Sequence, residues 1–118
     1  MARLKLSVVL DSGARIGPGK ARLLESVRDT GSISAAARDM GMSYKRAWLL
    51  LDSVNQAFET PAVTAAPGGR RGGGARLTTF GQELLDRYRR MERQAQAMVG
   101  EDLEHLEGVA RLDAGPKV

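Results

Sequence analysis

Four polar side chains in a row, Ser43, Tyr44, Lys45 and Arg46, stand directly ahead of an apolar stripe formed by Ala47, Leu50, Leu51, Val54 and Phe58. Hydroxyl, ammonium and guanidinium groups in the first turn of a helix can hydrogen-bond to base edges and neutralise phosphates. The stripe meanwhile turns the rest of that helix towards a core, with Trp48 at its edge. A second cationic group, Arg70 and Arg71, sits in a glycine run, with Arg76 just beyond it. Both groups suit a polyanion rather than bond-making chemistry. His105 is the only histidine and lies in an acidic stretch; there is no cysteine and no metal-ligand spacing. Catalysis, a cofactor and a bound metal are therefore not expected.

The elements that must position these residues can be read outward from the first cluster. Ile33, Ala36, Ala37 and Met40 recur at helical spacing over two turns, Gly41 marks a left-handed helix end, and Ser43 follows as an N-cap. Two helices joined so tightly form a helix-turn-helix, whose second member can lie in a DNA major groove. An ordinary helical hairpin with a solvated basic end fits the same residues.

The 118 residues are 42% hydrophobic, enough for one domain with a modest core. No apolar run is long enough to span a membrane and the N-terminus lacks the charged-then-apolar arrangement of a secretory signal, so a cytoplasmic protein with no membrane partner is expected. Residues 1–76 hold 12 Lys and Arg against 6 Asp and Glu, whereas residues 77–118 hold 6 against 8. The basic excess thus travels with the helix-turn-helix, and a surface of that sign attracts polyanions.

In chain order, alternation over residues 4–10 and a turn at Asp11-Ser12-Gly13 predict an N-terminal β-hairpin over 4–16. Pro18 opens a helix that ends at Thr30-Gly31, giving helices at about 18–30, 32–40 and 43–58. Pro61 then forces a break, and two short β-prone stretches flank the glycine-arginine run, so residues 62–77 read as a hairpin wing. A flexible linker is the competing reading; a phosphate-cradling loop lacks its lysine signature. Thr79 and Gln82 have capping-box spacing and start a long helix over 78–112. Along it Leu84, Tyr88, Met91, Ala95 and Met98 follow a coiled-coil seam, which predicts a homodimer; folding back onto the same domain is the alternative. Residues 113–118 read as a flexible tail. The expected architecture is mainly α with small β-hairpins: a winged helix-turn-helix DNA-binding domain over 1–77 followed by a long C-terminal dimerisation helix.

Four stretches carry a more specific likeness: residues 30–37 (TGSISAAA), 42–48 (MSYKRAW), 68–74 (GGRRGGG) and 77–82 (LTTFGQ). Together with the element order, they resemble the N-terminal DNA-binding domain of bacterial ModE-type molybdate-responsive regulators, and more distantly the LysR-type winged helix. The resemblance covers residues 3 to about 100. It implies a dimeric, sequence-specific transcription factor for double-stranded DNA, with residues 43–58 as recognition helix and 67–74 as wing. The implied DNA contacts are Ser32, Ser34, Ser43, Tyr44, Lys45 and Arg46, with Arg70, Arg71 and Arg76 on the wing. The chain stops where the family's oxyanion-binding domain would begin, so molybdate binding within it is not expected. A winged-helix protein-interaction module or a non-specific DNA-binding protein are the alternatives; an interaction module would not require clustered cations at both the helix and the wing.

Overall fold

The computed structural model describes residues 1–66 and 74–112. Its elements run β1 (Val8–Val9), β2 (Arg15–Ile16), α1 (Pro18–Thr30), α2 (Ile33–Asp39), α3 (Tyr44–Ala57), β3 (Val63–Ala66), β4 (Gly74–Leu77), α4 (Thr79–Met98) and α5 (Gly100–Val109). This is the expected mainly α winged helix-turn-helix with two small antiparallel hairpins.

The three central helices are bounded by local chemistry. Pro18 opens α1, where its fixed φ suits the first turn, and Gly31 closes it in the left-handed region at φ 72°, donating its N–H to Val27 O. The Ser32 side chain caps α2 by accepting from Ala35 N at 3.1 Å. Gly41, at φ 66°, then turns the chain; Gly41 N donates to Arg38 O and Met42 N to Ala37 O, the paired bonds that satisfy carbonyls at a helix end. Ser43 caps α3 through Arg46 N at 3.1 Å. Because α2 buries only Ala36 and Ala37, its backbone comes close to its neighbours. The core beneath is built from Leu23, Leu24, Val27, Val54, Leu85 and Tyr88, so the first half of α4 closes the same core as α1 and α3.

Val63 to Ala66 pair with Leu77 to Gly74. The base of this hairpin is tied to the helix-turn-helix: Ala75 N donates to Gly31 O at 2.9 Å, and Ser32 bridges Gly74. Residues 67–73, which include Arg70, Arg71 and the expected wing tip, lie outside the described residues, as does the tail at 113–118.

The periphery departs from the sequence reading in four ways. The N-terminal ladder contains only two residue pairs, Val8 with Ile16 and Val9 with Arg15, rather than spanning 4–16. Residues further upstream pair with α4 instead: Tyr88 Oη donates to Leu6 O at 2.7 Å and Leu4 N donates to Gln96 Oε1 at 2.7 Å. The cap of α4 is Thr78, not Thr79. Its hydroxyl donates to Pro61 O and accepts from Gly81 N, while the Gln82 amide turns away to Asp86. The expected single helix over 78–112 is interrupted at Val99, which leaves helical geometry at φ −105°, ψ 12° just before Gly100, a weak helix former. Finally, Tyr88 is 1% exposed and Leu84 packs on the core, so neither forms an open seam. Tyr88 is bonded to the N-terminal segment through Leu6 O and is buried within this chain.

Arg89 fastens α4 to α1. Its Nε donates to Glu25 Oε2 at 3.1 Å and its Nη1 to Glu92 Oε1 at 2.8 Å. Hydrogen bonding to Glu25 raises the guanidinium pKa despite desolvation, so the charge persists at every accessible pH.

Candidate nucleic-acid interface

Helical spacing divides α3 into faces. Ala47, Leu51 and Val54 point into the core. Lys45, Leu49 and Gln56 lie opposite them, all exposed. On one flank Tyr44, Trp48 and Asp52 border a groove shared with Ile33, Thr64 and Gly74, between α3 and the β3–β4 hairpin. On the other flank Arg46, Leu49 and Ser53 border a groove completed by Lys20 from the start of α1. Phe58, at the end of the stripe, meets Phe80 with ring centroids 5.2 Å apart.

Of the residues singled out from sequence, Ser43, Tyr44, Lys45 and Arg46 come together on the exposed first turn of α3. Ser32 lies beside Gly74 of the hairpin, and Ser34 is exposed on α2. Arg76 is exposed on β4, opposite Thr64 in the ladder, and alternation with buried Ala75 turns it outward. The hydroxyl oxygens of Ser32 and Ser43 accept the capping bonds, which leaves their O–H groups as donors. Met91 and Met98 of the expected dimer seam are exposed and Ala95 is half-buried.

The electrostatics follow from what these cations lack. Among the described residues the ion pairs are Arg28–Asp29, Arg87–Glu83, Arg89–Glu25 and Arg89–Glu92. Lys20, Lys45, Arg46 and Arg76 therefore have no ion-pair partner among the described residues and can meet an external anion.

Three positions went unread in the sequence. Lys20 joins the groove beside Arg46, with its Nζ donating to Arg15 O at 2.9 Å. Leu49 is out of phase with Ala47, Leu51 and Val54, a signal the spacing did contain. Asn55 fixes the hairpin to α3: its Oδ1 accepts from Ala62 N at 2.8 Å and Val63 N at 3.0 Å, and its Nδ2 donates to Val63 O at 3.0 Å. No local pattern marks such a clamp. Asn55→Ala would strand backbone groups of two buried residues, and urea unfolding should show a loss of about 2–4 kcal/mol. A loss under ~0.5 kcal/mol would mean that water replaces the amide without penalty.

Comparison with known proteins agrees with this geometry. The family model for bacterial regulatory helix-turn-helix proteins of the lysR family matches residues 19–82, from the first turn of α1 to the first turn of α4. The chain is 48% identical over 91 residues to the molybdenum-pterin-binding protein MopB of Rhodobacter capsulatus, covering 76% of this chain and 34% of that protein. It is 35% identical over 109 residues to the molybdenum transport protein ModE of Azotobacter vinelandii, covering 92% and 40% respectively. With the DNA-binding transcriptional dual regulator ModE of Escherichia coli K12 it shares 40% identity over 87 residues, covering 74% and 33%. The chain thus spans between 30% and 40% of the length of the curated relatives it matches.

Proposed function

The chain belongs to the lysR-type bacterial regulatory helix-turn-helix family, and from that premise we propose that it is a sequence-specific, DNA-binding transcriptional regulator of the ModE type acting as a homodimer. The observation that carries this reading is the exposed crest of α3, where Lys45 and Arg46 have no ion-pair partner among the described residues, beside a hairpin anchored at the same helix. In this arrangement α3 enters the major groove. Lys20, Lys45, Arg46 and Arg76 meet phosphates, and the hydroxyls of Ser32, Ser34, Ser43 and Tyr44 supply further donors. Arg70 and Arg71, outside the described residues, add two cations to the sequence between β3 and β4. The molybdenum in the relatives' names belongs to those longer proteins; the segment shared with this chain is the one proposed to hold DNA.

Pairing rests on the apolar surface that remains beyond Tyr88. Met91, Met98, Leu106 and Val109 are exposed along α4 and α5, which supports association with a second copy. Sedimentation of the native chain should give a dimer, and Met91→Glu with Met98→Glu a monomer. A native monomer at micromolar concentration would refute this pairing.

The DNA reading is tested with a fluorescent random-sequence duplex. Neutralising about four phosphates per chain, about eight per dimer, predicts that affinity falls by roughly 10,000-fold between about 50 and 200 mM salt. Absence of binding at the lower concentration would favour a protein partner for this surface.

A further inference from the structure

The crest of α3 is not uniformly cationic. Trp48 and Leu49 are 46% and 51% exposed, while Ala47, just before them, is fully buried. Trp48 borders the groove on the hairpin side and Leu49 the groove on the Lys20 side, so together they span the middle of the helix surface. Two large apolar side chains held in water at that place gain free energy only when something covers them. The surrounding Lys20, Lys45 and Arg46 call for a polyanionic cover.

Resting on the DNA-binding reading above, we propose that Trp48 and Leu49 select sequence by packing against thymine C5-methyl groups on the floor of the major groove. That methyl is the largest apolar group bases present there; guanine and adenine offer donors and acceptors, and cytosine a donor beside a bare C5–H. A leucine or the carbon edge of an indole pressed onto guanine O6 and N7 removes their water and returns no hydrogen bond, which disfavours G·C pairs at those positions. Discrimination therefore comes from the apolar pair, and the flanking cations hold the duplex in place through phosphate.

Short alternating dA·dT duplexes test this in any register, because every base pair carries a methyl. The matching dA·dU duplexes differ by that methyl alone. At low salt the native chain should bind dA·dT about three- to tenfold more tightly than dA·dU, since one methyl-sized contact is worth roughly fourfold. Trp48 is the only tryptophan, so its emission should also change on binding dA·dT. The Trp48→Ala, Leu49→Ala double variant alters exposed positions and should keep its circular dichroism while binding the two duplexes alike. Equal native affinity for dA·dT and dA·dU would overturn the methyl contact and leave DNA binding standing. Failure to bind any duplex, alternating dG·dC included, would overturn the DNA-binding reading and this inference with it.

Discussion

Gly81→Ala is expected to lower the melting temperature by roughly 10 °C, corresponding to about 2–4 kcal/mol, although alanine is the better helix former by ~1 kcal/mol. Gly81 lies in the first turn of α4, against the segment that leads into β3. A Cβ built there would overlap the Ala62 carbonyl, oxygen and carbon alike. That carbonyl cannot retreat freely, because it accepts the Thr78 N–H at 2.9 Å, and Asn55 holds the N–H of the same residue. The clash therefore outweighs the gain in propensity. The displaced segment is also the root of the hairpin, so DNA affinity should fall alongside stability. A differential scanning measurement showing an unchanged or raised melting temperature would mean that α4 can tilt away from Ala62 at no cost.

The second large effect concerns binding and leaves the fold intact. Lys45→Ala with Arg46→Ala removes two exposed charges that have no partner among the described residues. Affinity for a duplex at moderate salt should fall by roughly 10–100-fold, and the slope of log affinity against log salt should shrink by about 2 per bound chain. Arg90→Ala with Arg93→Ala makes the same change in net charge on the exposed surface of α4. This control should leave the slope close to native, because α4 is not part of the proposed contact. If both double variants lose affinity equally, net charge governs binding and the crest of α3 has no special place in it.

How much of this was legible in the residues can be judged element by element. The limits of α1, α2 and α3 follow from Pro18, Gly31, Ser32, Gly41 and Ser43, each of which acts on backbone groups within a few positions of itself. The first turn of α3 was legible for the same reason, since a polar cluster ahead of an apolar stripe can only project from the end of a helix that buries its remainder. The capping of α4 was misread by one residue because the deciding partner of Thr78, the carbonyl of Pro61, lies 17 positions away. Of the expected dimer seam, two positions belong to this chain's own core. Leu84 and Tyr88 fit its spacing, but periodicity states only that a face is buried and not what buries it.

What the sequence by itself determined, then, is the succession of helices and hairpins up to the start of α4 and the placing of cations on the first turn of α3, because caps, turns and periodicities are short-range effects. Only the tertiary structure decided which apolar residues were already covered. The bond from Tyr88 to Leu6 spans 82 positions and that from Leu4 to Gln96 spans 92, distances over which no local preference operates. It likewise decided that Asn55 would hold the hairpin to α3 and that Trp48 and Leu49 would stay in water. Each of those outcomes depends on which surfaces meet once the core has closed around Leu23, Val54 and Tyr88.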